Sequence, residues 1–379
     1  MNTIPAETLE AFIVAENVRV GIIGCGGIAT GKHLPGLSRL KNVEIVGFCD
    51  IVPERAEECK EKYGTEGAKT YTDYKEMLAE AKLDVVHVLT PNDSHAPISI
   101  DAMEAGAHVM CEKPMAKKAA DARAMLEASK RTGKKLTIGY QSRYRADSQY
   151  LKKLVEEGAL GEVYVAKAHA VRRRAVPTWG VFLDAEKQGG GPLIDIGTHA
   201  LDLTLWLMDN YQVKSVTGTV YRKLADRENA ANAFGPWDPK IYTVEDSAFG
   251  FITMENGATI FLESSWALNT LDVDEAKCTL MGSEAGADMK KGLRLNGEHN
   301  SRLYTQEIEL NAGGVAFYEG ASNKPHEIEA AQWIDAVVND KAPTVTPEQA
   351  LVVSEVLEAI YESAATGKTI YFENGTPVK

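Results

Sequence analysis

From Val18 the chain alternates short apolar runs with stretches of helical period, and this alternation is what most limits its fold. Strands separated by helix-length segments cannot pair as hairpins, so they must be joined by crossover helices into a parallel sheet. The runs Val18 to Ile23, Val43 to Cys49, Val85 to Leu89, His108 to Met110 and Lys135 to Gly139 predict strands, and a short one at Lys69 to Tyr71 completes the set. Between them Ile28 to Leu40, Pro53 to Tyr63, Asp73 to Ala79, His95 to Ala105 and Lys118 to Thr132 read as helices. After about Gln141 the pattern changes. A helix around Asp147 to Glu157 is followed by longer strands, such as Val163 to Arg172 and Val213 to Arg222, and then by hairpins. Asn256-Gly257 is a strong turn signal, read as type I′, and Asn296-Gly297 a weaker one. The expected class is therefore α/β, with a dinucleotide-binding domain over 18–140 and an α+β domain with a mostly antiparallel sheet over 141–379. Residues 1–17 form an extension, and a tail helix over 347–366 could pack on either domain.

Gly24-Cys25-Gly26-Gly27-Ile28-Ala29 closes the first strand and opens a helix, where glycines allow a tight turn and close approach of a pyrophosphate to the helix N-terminus. Gly24, Gly26, Gly27 and Ile28 are thus cofactor candidates. Asp50 ends the second strand, where a carboxylate binds ribose hydroxyls and repels a 2′-phosphate, which favours NAD over NADP. Thr90 and Asn92 follow the fourth strand and are placed to touch the cofactor, with plain capping of the strand-to-helix connection as the alternative, and His95 opens the next helix, where a structural role serves as well as a functional one.

The chemical centre is expected at two motifs. Glu112-Lys113-Pro114 follows the fifth strand, beside the nicotinamide, where Glu112 and Lys113 can meet cofactor and Lys113 a substrate oxygen; an ordinary surface lysine is the alternative. Gly189-Gly190-Gly191 leads to Asp195 and His199, four residues apart and on one helical face, so a carboxylate can orient an imidazole. A structural hydrogen bond or a pair of metal ligands would use the same spacing, but without a third ligand motif no metal is assigned. Arg143 is a further substrate candidate. The connection Lys223 to Thr243 holds Phe234, Trp237 and Tyr242 and is long enough to be a lid, with Trp237 offering an aromatic face to C–H groups of a substrate; a packing or interface loop is the competing view.

Together these motifs resemble the Gfo/Idh/MocA family, over nearly the whole chain from Val18. The resemblance implies a Rossmann domain, an open C-terminal sheet that builds dimers or tetramers, and NAD-dependent oxidation or reduction of a secondary alcohol on a sugar, cyclitol or glycoside. It implies Lys113, Asp195 and His199 as the catalytic group, with a cis bond before Pro114 and with either His199 or Lys113 taking the hydroxyl proton. Arg172-Arg173-Arg174 and Pro177-Thr178-Trp179-Gly180 resemble a subset acting on pyranoses and glycosides, which makes Arg172 and Trp179 substrate candidates. A glycoside-cleaving enzyme working through a transient keto sugar, and a dinucleotide-sensing regulator without turnover, are the alternatives within the same resemblance.

Composition narrows the partners. A net charge of −13 over 379 residues argues against nucleic acid or an anionic membrane. The five cysteines are widely spaced without a CxxC pair, so a reducing cytoplasm is expected. The first sixteen residues lack a basic n-region, and no apolar run approaches the roughly eighteen residues of a membrane span.

Overall fold

The six apolar runs form one parallel sheet in the computed structural model, which describes residues 17–310, 324–373 and 375–378. Its strands are β1 (Val18–Ile23), β2 (Val43–Cys49), β3 (Lys69–Tyr71), β4 (Val85–Val88), β5 (His108–Cys111) and β6 (Leu136–Ile138). They lie in the order β3-β2-β1-β4-β5-β6. Strand order reverses between β1 and β4, and ligands of open α/β sheets bind at such a switch point, beyond the strands' carboxyl ends. β4 is buried at every residue, as expected for a strand covered on both faces. Residues 1–16 of the N-terminal extension lie outside the described residues.

The first helix is not regular. A π turn, Ala29–His33, runs into a short α-helical turn, Leu34–Leu37. Pro35 accounts for the irregularity, because a proline has no N–H to donate and its ring clashes with the carbonyl four residues back in an α-helix. The Leu34 N–H instead reaches Ala29 O. Gly36 then lets the helix Pro325–Val338 approach closely, since a Cβ there would stand 3.0 Å from His326 O. Trp333 and Ile334 of that helix join the core of β1 and β2. By its contacts, 324–348 thus counts with 17–116 and 120–145 as one unit, while 117–119, 146–310, 349–373 and 375–378 form the second.

In the second unit β7 (Val163–Val171), β8 (Val213–Tyr221), β9 (Ser247–Met254), β10 (Thr259–Ser265), β11 (Asp274–Gly282), β12 (Ala285–Asp288), β13 (Arg294–His299), β14 (Arg302–Glu307), β15 (Ile370–Glu373) and β16 (Thr376–Pro377) form one sheet. The order is β14-β13-β12-β11-β7-β10-β9-β8-β15-β16, and only the β7–β10 pair is parallel. The tail helix Pro347–Thr366 packs here, with Ile360 filling the space that side chains at Gly218 and Gly250 would need. The hairpin expected at Asn256-Gly257 forms, joining β9 and β10, but its turn type differs, and the one expected at Asn296-Gly297 does not form there. Between β9 and β10 only Gly257 has positive φ (87°), and Met254 N–H bonds Ala258 O at 2.8 Å, so the loop has three residues with glycine in the left-handed position. Asn296-Gly297 is no turn; it lies inside β13, and the chain reverses at Asn300-Ser301, both at positive φ (48° and 58°).

Candidate active site

In the first unit the glycine turn is built around three different needs. Gly24 has φ +95°, and a Cβ there would come within 2.7 Å of the Leu89 main chain, so no other residue fits without strain. Gly26 and Gly27 have open space where a side chain would stand, which leaves the helix N-terminus bare for a pyrophosphate. Half-buried Ile28 follows. Asp50 is buried, and its Oδ2 and Oδ1 accept from Cys25 N–H at 2.8 Å and Val52 N–H at 2.9 Å. The carboxylate therefore clamps the glycine turn, and each oxygen keeps a lone pair for a ribose hydroxyl. Beside it Ile51 is 88 % exposed, an apolar surface that the sequence pattern did not single out. These residues fit a dinucleotide.

The remaining cofactor candidates divide. Thr90 is half-buried, with its hydroxyl accepting from Ser94 Oγ at 2.9 Å, and Asn92 is buried at the start of a short 3-10 turn. His95 is buried, and its ring nitrogens lie 2.8 Å from Pro114 O and 2.9 Å from Thr90 O. Burial holds its pKa below the ordinary imidazole range, and the ring pins two loops rather than facing a ligand. Glu112 is likewise turned inward, with Oε1 against His33 Nε2 at 2.8 Å and Oε2 accepting the Lys113 N–H at 3.0 Å. The carboxylate thus holds the main chain that carries Lys113. Lys113 itself is half-buried, and the Lys113–Pro114 bond is cis. Arg143 is fully buried, with Nη1 donating to Thr344 O at 3.0 Å.

The second unit holds Asp195 and His199. The helix expected over both begins as a π turn, Leu193–Gly197, and continues as Thr198–Met208. Glycines 190 and 191 have no room for side chains, because Tyr361 Oη and Glu245 O would stand 2.0 and 2.3 Å from a Cβ. Glu245 reaches through this opening to cap the helix start. Its carboxylate accepts from Gly191 N–H at 2.8 Å, Leu193 N–H at 3.2 Å and Tyr361 Oη at 2.8 Å. Burial raises its pKa against the opposing pull of those N–H bonds. Asp195 is buried and accepts from the Trp266 indole N–H at 3.1 Å, while His199 is half-buried. Neither Glu245 nor Trp266 was recognisable beforehand, since both come from strand ends far along the chain.

Two substrate candidates change character. Arg172 Nε and Nη2 grip the Glu275 carboxylate at 2.6 and 2.7 Å, and Nη1 donates to Ala175 O at 3.2 Å. The guanidinium is close enough to Asp195 to be steadied by its charge, but three of its nitrogens are already engaged. Trp237 points inward at 4 % exposure, with Nε1 donating to Ala225 O at 2.9 Å. The aromatic surface of its loop is instead Phe234, 46 % exposed and edge-on to Trp179, 53 % exposed, at 4.9 Å. Phe182 continues this cluster from Trp179 to Trp266, the residue that holds Asp195.

A switch-point glycine turn with an acid at the end of β2 defines an NAD-binding oxidoreductase fold, joined to a unit with a mixed, mostly antiparallel sheet. Comparison with known proteins agrees. Residues 18–140 match the oxidoreductase family with NAD-binding Rossmann fold, and 152–372 match that family's C-terminal alpha/beta domain. The chain belongs to the Gfo/Idh/MocA oxidoreductase family. It is 35 % identical to D-glucoside 3-dehydrogenase of Escherichia coli over 96 % of this chain and 99 % of that protein. It is 31 % identical to myo-inositol 2-dehydrogenase of Thermotoga maritima over 50 % and 55 %. Among solved structures, aldose-aldose oxidoreductase of Caulobacter crescentus shares 25 % identity at TM-score 0.76, covering 94 % of this chain and all (100 %) of that one. Levoglucosan dehydrogenase, in complex with NADH and levoglucosan, shares the fold at TM-score 0.78 and 22 % identity, over 94 % and 99 %.

Proposed function

We propose that this enzyme transfers a hydride between NAD and a secondary alcohol of a pyranose sugar, glycoside or cyclitol. The observation that carries the reading is the buried Asp195 carboxylate, held by the Trp266 indole one turn ahead of half-buried His199. A carboxylate fixed in this way orients an imidazole for proton transfer, and histidine's free pKa suits a base near neutrality. Similarity to a D-glucoside 3-dehydrogenase over 96 % of the chain supports a sugar hydroxyl as the reacting group. In this reading His199 takes the hydroxyl proton, Asp195 holds the imidazole and Lys113 polarises the oxygen. Bound NAD accepts the hydride that leaves the same carbon. Trp179 and the charge of Arg172 serve the non-reacting part of the substrate. The five cysteines, all free and buried, support a reducing compartment, the cytoplasm.

The experiment is NADH formation screened over free pyranoses, glycosides and cyclitols, with chromogenic glycosides included. Lys113→Ala and His199→Ala should each remove most of kcat with NAD binding near normal, and the double variant should cost little more, because groups that act as a unit are not additive. Release of aglycone without net NADH would indicate glycoside cleavage instead, and NAD binding without turnover on any substrate would indicate a regulator.

A further inference from the structure

One cluster of titratable side chains lies wholly inside the first unit and has no part in the chemistry above. His33 comes from the π turn of the helix that begins at the glycine turn, His87 from β4, and Glu112 from the end of β5. His33 Nε2 stands 2.8 Å from Glu112 Oε1, and His33 Nδ1 stands 3.1 Å from His87 Nδ1. Glu112 Oε2 accepts the Lys113 N–H at 3.0 Å. All three side chains are buried, at 5 %, 1 % and 6 % exposure. Gly139 at the end of β6 makes room for the carboxylate, because a Cβ there would lie 3.3 Å from it.

Burying a carboxylate and two imidazoles costs more than burying apolar groups of the same size, so the cluster is a poor device for stability alone. Its direction is informative. Burial, aided by the charge of His33, holds His87 well below the usual imidazole range, so His87 is neutral and can only orient its neighbour. Burial and the charge of Glu112 push Glu329 well above the usual carboxylate range, so Glu329 adds no competing charge. A line of contacts runs from the dinucleotide helix, through His33 and Glu112, to the main chain of Lys113.

We propose that His33 and Glu112 are positioning residues for Lys113. The imidazole fixes the carboxylate, the carboxylate fixes the Lys113 N–H, and the lysine side chain leaves β5 in the direction so set. This rests on the role given to Lys113 above. Without His33, Glu112 loses the 2.8 Å contact on Oε1, and a buried carboxylate that loses such a contact is freer to turn or take up a proton, either of which loosens its hold on Lys113.

The test uses the full-length enzyme with His33→Ala and His33→Gln, since a glutamine amide can donate from near the Nε2 position. His33→Ala should lower kcat about ten- to a hundred-fold, leave the KM for NAD within about two-fold, and speed deuterium exchange at the peptide holding Lys113. His33→Gln should recover most of kcat and the slow exchange. If His33→Ala does not fold, His33→Asn replaces it: the shorter amide cannot reach Glu112, so Asn should be impaired where Gln is not. A folded His33→Ala with wild-type kcat and unchanged exchange overturns the proposal. So does equal impairment of the Gln variant and the Ala or Asn variant with equal loss of Tm, which would make the cluster packing only. Lys113→Ala is assayed alongside. Normal turnover there would remove the role given to Lys113, while the exchange measurement, which needs no substrate, still decides whether His33 holds it.

Discussion

The Asp50 carboxylate holds the glycine turn, and a substitution tests whether it also selects the cofactor. It accepts from Cys25 N–H at 2.8 Å and so fixes the glycine turn, while its charge disfavours a 2′-phosphate. Asp50→Asn keeps one acceptor and removes the charge, so we expect the ratio of kcat/KM for NAD over NADP to narrow about tenfold, together with a fall in Tm because the amide faces the Cys25 or Val52 N–H. An unchanged ratio in steady-state assays with both cofactors would show that the carboxylate does not select. Trp266 is the corresponding residue in the second unit. Its indole N–H to Asp195 is a bond to a charged group in a buried place, worth about 1.5–3 kcal/mol. Trp266→Phe keeps the ring and loses the donor, so kcat on the sugar should fall about tenfold or more while the Kd for NAD stays the same. A Phe variant as fast as the parent would mean that Asp195 needs no such support.

Elements were legible where local pattern decides them and obscure where tertiary contacts do. The six strands of the parallel sheet follow from apolar runs bounded by turns, and the glycine turn, Asp50, Asp195 and His199 are each announced by residue type at a strand end or helix start. The two π turns were not, because Pro35 and the cramped Gly190-Gly191 act through neighbours rather than through periodicity. Asn296-Gly297 shows the same limit: its local turn chemistry is overridden by pairing across β12, β13 and β14, with Tyr304 packed where a side chain at Gly297 would stand. Aromatic residues in a long loop gave no sign of facing, so Trp237 was expected on the surface that Phe234 occupies. Glu245 is an acid at the foot of β9 that nothing local ties to a helix some fifty positions earlier. Its cap makes an element-scale prediction. Glu245→Gln replaces one acceptor with an amide that faces the Gly191 or Leu193 N–H, leaving a buried donor unpaired at about 1–3 kcal/mol. Urea unfolding should register that loss, and exchange at residues 191–199 should quicken; equal stability would mean the helix start does not depend on the cap.

At the scale of the whole molecule the feature left over is one face of the ten-stranded sheet. Helices Thr198–Met208 and Pro347–Thr366 cover the other face, and β9 and β10 alternate buried and outward residues with period two. Outward on β9 and β10 stand Phe251 and Phe261, cross-strand partners whose rings meet edge to face at 5.2 Å, each 44 % exposed. Tyr221 on β8 and Tyr371 on β15 extend this apolar surface at 41 % and 58 % exposure. Contiguous aromatic surface in the middle of a sheet is costly to leave in water and marks an interaction face. We propose that the face pairs with a second copy of this chain, giving a homodimer or homotetramer. A two-fold interface sets the same patch against itself, so one substitution acts twice and its effect is amplified. Phe251→Glu should therefore convert the oligomer to monomer, read as mass by light scattering, while Phe251→Leu leaves it assembled. Burying like charges opposite each other across the axis costs several kcal/mol, enough to shift a micromolar dimer beyond detection. A wild-type protein that is monomeric at tens of micromolar, or a Phe251→Glu variant that keeps its mass, would assign this face to some other partner.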